Sequence, residues 1–259
     1  MSDNAISKSF DPLAHRRGEP RLFIVFWTIY LLVASAISLG PLGFHGLAGT
    51  DMYRPNATLL LSLCGCGLGI LWPMVRLSQA RPGKPVWAFA LDGVAVAFPA
   101  CIVVVSQSMP WMAAWSPYES GLMIVSYLTW ATFIVCVLSL AMKSSKAVVG
   151  VGEVVGGWVL SGTVRRVGDS RGGWMILIAL LVGLGPICAC ILSSYTEYGW
   201  TVKIATLASP ITAPYAATSK EISTMAQWGI YRPLEMIAAG FPLILTGLLG
   251  LGVGRTKNE

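Results

Sequence analysis

Charge is what this sequence has least of. Asp, Glu, Lys and Arg make up 12% of its 259 residues, about half the roughly 25% usual in a soluble domain. Histidine is nearly absent. Only His15 and His45 occur, both outside the long apolar blocks, which excludes bis-histidine haem ligation and a histidine-rich intramembrane metal site. Catalytic signatures are missing as well. There is no Gly-x-Ser-x-Gly elbow, His-Glu-x-x-His pair, Cys-x-x-Cys redox pair or Gly-x-x-x-x-Gly-Lys-Ser/Thr phosphate loop. The chain therefore reads as a non-enzyme with no resident cofactor, unable to use ATP by itself through such a loop. None of its six cysteines falls in a polar loop, so the disulfide framework of a small secreted domain is excluded. The net charge of +6 comes without a basic stripe interleaved with aromatics, and nucleic acid is not an expected partner.

What the sequence does have is apolar length. It is 55% hydrophobic with a mean hydropathy of +0.68, and the apolar residues arrive in blocks separated by short basic segments. Six blocks, at 22–44, 57–75, 86–106, 121–142, 174–194 and 234–253, are close to the roughly 20 residues a helix needs to cross about 30 Å of hydrocarbon. Backbone groups cannot stay unpaired in lipid, so runs of this kind are expected to be helices. The alternating ten-residue strands of a barrel are not seen. The expected fold is an all-α polytopic integral membrane protein of about six transmembrane helices over residues 22–254. A polar, basic segment at 1–21 precedes it and a short tail at 255–259 follows. Two connections exceed what a bundle needs. Residues 143–173 form a Gly/Val-rich inner loop ending in Arg165, Arg166 and Arg171. Residues 195–233 form an outer connection whose apolar part is broken by Pro210 and Pro214; it either dips into the membrane as short re-entrant helices or folds as an outer loop.

Orientation follows from the basic residues. With the N-terminus inside, the inner segments hold Lys8, Arg16, Arg17, Arg21, Arg76, Arg81, Lys84, Lys143, Lys146, Arg165, Arg166, Arg171, Arg255 and Lys257. The outer segments hold only Arg54, Lys203, Lys220 and Arg232. Lys and Arg bias sets topology, so both ends are expected on the cytoplasmic side, with the bacterial inner membrane as the expected location. Trp111, Trp115 and Tyr118, and Trp200, Trp228 and Tyr231, then fall where an outer aromatic belt belongs. The first block has a basic lead and an Ala34-Ser35-Ala36 sequence resembling a cleavage site. Its apolar run continues past that point, and it is read as an uncleaved helix.

Few residues inside the blocks can carry chemistry. Asp92 is the one acidic residue well inside a span, where an ionisable group marks a relay or is locally capped. It is a candidate proton or ion relay, set against a local role near Lys84. Cys64, Cys66, Cys101, Cys188 and Cys190 fall at similar depth, and soft thiolates at one level would suit Cu(I). Residues two apart point to roughly opposite sides of a helix, and cysteine also serves as a small apolar packing residue. Packing is the favoured reading. Gly65, Gly67 and Gly69, with Gly183 and Gly185, predict close helix approach. Pro73, Pro99, Pro186 and Pro242 predict kinks.

The layout resembles the membrane subunit of type-2 ATP-binding-cassette exporters. The features that carry the resemblance are the polar lead 2–21, the connection 76–85 after the second block, and the connection 195–233 with Ser209-Pro210. The resemblance implies a permease that works with a soluble ATPase, with Arg76, Arg81 and Lys84 as candidate partner contacts. A second copy of the chain and membrane lipid are further expected partners. The loop 143–173 is not something that family requires, and 76–84 shows no amphipathic coupling helix. Two other classes remain: a non-catalytic accessory subunit of a larger respiratory or photosynthetic complex, and a proton-coupled carrier relying on Asp92. No polar constellation lines up across the blocks to identify a substrate.

Overall fold

The computed structural model describes residues 20–43, 50–79, 82, 85–144, 170–195, 199–218 and 231–255. These form helices and short turns, with no strand among the described residues. In chain order they are α1 (Pro20–Gly43), α2 (Thr50–Cys66), a π-helical segment (Gly67–Leu71), α3 (Trp72–Leu77), α4 (Pro85–Gln107) and α5 (Pro117–Ser144). There follow α6 (Ser170–Tyr195), α7 (Gly199–Leu207), α8 (Ala213–Thr218), α9 (Tyr231–Ala239) and α10 (Phe241–Arg255). Five stretches are long and apolar enough to cross a membrane: Phe23–Leu42, Tyr53–Leu77, Pro85–Gln107, Pro117–Met142 and Arg171–Leu192.

The first five apolar blocks each become such a helix. The second starts earlier than its apolar residues suggest, because polar Thr50–Asn56 continues the same helix. The sixth block is helical but interrupted at Gly240. Pro242 lacks an N–H and its ring would clash with the carbonyl four residues back, so the ladder is broken there. The Leu243 N–H turns to the Gly240 carbonyl at 2.9 Å, and the Ala239 carbonyl, which that N–H would otherwise meet, accepts instead from Thr129 Oγ1 at 2.8 Å.

The start of α5 shows how local sequence sets a boundary. Ser116-Pro117-Tyr118-Glu119 is a capping box with proline at the first helical position. The Ser116 N–H donates to Glu119 Oε2 at 2.6 Å, and the Glu119 N–H donates to Ser116 Oγ at 3.2 Å. Ala114, with φ of 48°, reverses the chain just before the box, and Trp115 is buried beside it.

The stretch α2–α3 and α5 form the centre of the bundle, with most of their residues inside it. Trp72, Tyr127, Trp130, Phe133 and Leu138 are among the largest fully buried side chains. By contrast α1 and α6 are peripheral and present Ile24, Phe26, Ile29 and Leu32, and Ile176, Leu180, Leu184 and Ile187, outward. Apolar surface of that extent is unusual on a soluble monomer and fits contact with lipid. The described residues thus form an all-helical bundle whose five long helices suit integration into a membrane.

Replacing Ser116 by Ala removes one half of the capping box. It is expected to destabilise the protein by about 1 kcal/mol, read as a lower thermal midpoint in detergent, while Ser116→Asp should leave the midpoint near its starting value.

Candidate functional site

Between α6 and α9 the chain turns into the bundle. Helix α7 has nine residues, about 13 Å at 1.5 Å per residue, which is near half of a hydrocarbon layer of about 30 Å. It ends in a turn at Ser209-Pro210, both buried, and α8 leads back. The turn lies beside Gly65, Gly69, Val182 and Gly185, which sit near the middles of α2–α3 and α6. The tip therefore reaches the centre of the bundle.

Glycine makes that depth available. A Cβ on Gly65 would fall 2.6 Å from the Pro210 carbonyl carbon, so no larger residue fits while the turn is seated. At Gly185 it would fall 3.1 Å from the Ala205 carbonyl oxygen and closer still to Ser209. At Gly69 it would meet Val182 at 3.0 Å and Pro210 at 3.3 Å. Gly67 faces the other way and admits Trp27 of α1, at 2.8 Å, and Tyr30. Gly183 by contrast has nothing within 4 Å. The alternating glycines of α2 and the π segment thus serve two neighbours on opposite sides.

The irregular backbone of the turn is paired within the protein, as burial requires. Ser209 Oγ donates to the Val182 carbonyl at 2.7 Å, and the Ala213 N–H to the Ser209 carbonyl at 2.9 Å. The indole N–H of Trp130 reaches the Ala208 carbonyl at 3.2 Å, and Thr212 Oγ1 donates to the Thr206 carbonyl at 2.7 Å. Alongside, Tyr127 and Tyr30 donate to the carbonyls of Leu61 and Leu63, each at 2.6 Å. Those carbonyls precede the π segment, where the regular ladder is disturbed. A π segment inside a helix is frequently found at a functional position.

Two buried ion pairs lie toward opposite ends of the bundle. Arg76 of α3 and Asp92 of α4 are each only 8% exposed, and Nη2 meets Oδ1 at 2.5 Å. Arg76 Nη1 donates to Gln79 Oε1 at 2.7 Å, and its guanidinium lies 4.6 Å from the centre of the Phe23 ring of α1. Arg171 of α6 donates to the Gln79 carbonyl at 3.1 Å. At the other end, Lys203 of α7 and Glu235 of α9 are 9% and 5% exposed and meet at 2.9 Å. The Tyr118 hydroxyl of α5 donates to the second Glu235 oxygen. A third pair, Arg54–Glu119 at 2.8 Å, ties α2 to the α5 capping box and is more open to solvent.

These placements bear on several of the residues singled out in the sequence. Asp92 has the permanently charged Arg76 as its partner, a geometry that suits a tie between helices better than a relay. Arg76 is turned into the bundle, where it pairs with Asp92. Arg81 and Lys84 lie outside the described residues. The cysteines are free thiols, Cys64 buried and Cys190 exposed, and no three His, Cys, Asp or Glu side chains among the described residues come together as a metal site. Sequence reasoning missed the Lys203–Glu235 pair. The available signal was one lone Lys and one lone Glu, each flanked by apolar residues, which are costly apart and stable only together.

A groove of about 500 Å³ runs between α4 and α5 on the face away from Asp92. Gly93, Ala97, Cys101, Leu128, Ala131 and Thr132 are among its lining residues, so its walls are almost wholly apolar.

Two sets of substitutions test these contacts. Gly65→Ala and Gly185→Ala are expected to lower the thermal midpoint of the detergent-solubilised protein by several degrees or to displace the turn, whereas Gly183→Ala should be neutral. For the buried pair, Asp92→Ala strands Arg76 and is expected to cost about 3–5 kcal/mol. The double variant Arg76→Met with Asp92→Leu should recover most of that loss; equal damage in single and double variants would show that the pair is not the relevant contact.

No protein-family model, no curated protein and no solved structure matches this chain.

Proposed function

We propose that this chain is the membrane-embedded permease subunit of an ATP-driven exporter, with six crossings and both ends on the cytoplasmic side. In this reading α9 and α10 together make the sixth crossing, bent at Gly240, in the bacterial inner membrane. The observation that carries it is the α7–α8 hairpin. It stands between the fifth and sixth spans, has about half the depth of a bilayer, and keeps its turn paired at the bundle centre. A re-entrant segment in that position is what the resemblance to type-2 ATP-binding-cassette permeases implies. The absence of a phosphate loop assigns ATP hydrolysis to a partner chain.

A second reading has its own support. Arg54, Arg76 and Lys203 each pair with a carboxylate of the same chain, which also suits a non-catalytic accessory subunit of a larger membrane complex. The two readings differ in what accompanies the protein. Purified in a mild detergent, a permease subunit is expected to carry a soluble ATPase at fixed ratio, and Arg81→Glu with Lys84→Glu should reduce its retention. Recovery with a cofactor-bearing complex and no ATPase would replace the first reading by the second.

A further inference from the structure

Helices α4 and α5 pack side by side and run in opposite directions, so the start of α4 and the end of α5 share one end of the bundle. On the groove between them, Gly93, Ala97 and Ala131 make a buried floor. Val94, Phe98 and Leu128 stand at its sides, 65%, 61% and 48% exposed. The groove therefore opens outward, where lipid would lie. It extends from Ala90 to Cys101, about 16 Å along α4. Its volume of about 500 Å³ over that length gives a cross-section of about 30 Å². A helix with its side chains is about 10 Å across and needs more than twice that section. A flexible polymethylene chain fits. In hydrocarbon such a groove is filled, because an empty one would cost its lining the contacts on one side.

The two ends of the groove differ in charge. Lys84 directly precedes α4 with Arg81 shortly before it, while Lys143 stands in the last turn of α5 and Lys146 follows. No acidic residue occurs in 77–91 or 136–152. At the opposite end the connection 108–116 has no charged residue, and Glu119 beyond it is paired with Arg54. Trp87, 67% exposed, stands one turn before Ala90 on the same face of α4, as an aromatic at a membrane interface does. Basic residues at the ends of membrane helices attract anionic headgroups. We propose that the α4–α5 groove binds an anionic phospholipid, one acyl chain lying along it and the phosphate held where α4 begins and α5 ends. Ala90 stands about 8 Å along α4 from Pro85 and Cys101 about 24 Å, a span that a long acyl chain covers for the most part from a headgroup at the helix start. The site goes beyond the permease reading and requires only that the chain be embedded in a membrane.

The test uses the full chain, purified in a mild detergent and incubated with equal amounts of dioleoyl phosphatidylglycerol and dioleoyl phosphatidylcholine. After repurification the retained lipid is counted by mass spectrometry. About one phosphatidylglycerol per chain is expected, favoured about tenfold over phosphatidylcholine, as two engaged cations would give. Thr132→Phe sets a ring across the groove from an exposed position and should abolish the retained lipid. Leu180→Phe, on the exposed face of α6, should leave it unchanged. Lys84→Glu with Lys143→Glu should keep a chain in the groove but bring the ratio of the two lipids toward one. Monodisperse elution and an unchanged thermal midpoint control for folding. Retention that Thr132→Phe does not lower overturns the proposal. So does equal retention of the two lipids by the unaltered chain, or a preference that survives the charge reversal. A disulfide between Cys101 of two copies in the membrane, lost in Thr132→Phe, would assign the groove to a second copy and overturn it as well. The measurement involves no ATPase, so its failure leaves the co-purification test of the permease reading untouched, and the reverse also holds.

Discussion

A buried backbone amide or carbonyl must find a partner, and in a hydrocarbon layer there is no water to provide one. Most of this chain meets that requirement by being helical. The turn at Ser209-Pro210 cannot, and the structure around it is arranged to compensate. Ser209 reaches across to Val182, and Trp130 is aimed at the freed Ala208 carbonyl. Glycines at 65, 69 and 185 bring the neighbouring helices close enough for those bonds to form. The same logic recurs at Gly240, where Thr129 takes up the Ala239 carbonyl. Both irregularities are thus met by side chains, Trp130 and Thr129 of α5 among them.

The two ion pairs obey a parallel constraint with charge in place of dipoles. An isolated carboxylate inside a bundle is costly, and each of the buried acids is met by a base from another helix. The partners differ in kind. Arg76 offers a planar, permanently charged fork that also serves Gln79 and lies against Phe23, so three side chains are set by one guanidinium. Lys203 offers a single point charge on a flexible stem, and Tyr118 completes the shell of Glu235.

Much of the fold was legible in the sequence because it depends on local quantities. Block length and apolarity locate five helices to within a few residues, apart from the polar start of α2. The Gly65-x-Gly67-x-Gly69 spacing correctly announced close approach, though not which neighbours approach. What was not legible depends on pairing across the chain. Asp92 sits eight residues from Lys84 in sequence, yet its partner is Arg76, because the α3–α4 reversal sets residues 76 and 92 side by side. Lys203 and Glu235 are 32 positions apart and meet only after the chain has turned at Pro210. Proline likewise reads ambiguously: Pro99 and Pro186 sit within continuous helices, while Pro242 accompanies a break. The difference lies in the preceding Gly240 and in a nearby Thr129 able to take the freed carbonyl.

The distribution of these devices along the bundle is uneven, and that unevenness has a mechanical meaning. Toward the end where α3 gives way to α4, the Arg76 cluster joins α1, α3 and α4 side chain to side chain, and Arg171 adds α6 through the Gln79 carbonyl. Each of those four elements is, or continues, a long helix. Toward the other end the joined elements are α7 and α9, of nine residues each, held to α5 by a hydroxyl and flanked by a turn and a break. Short elements bury little surface and open at lower free energy than long ones. A load applied to the whole bundle would therefore be taken up at α7, α8 and α9 before the Arg76 cluster yields, and the segment that yields first is the one whose tip reaches the centre.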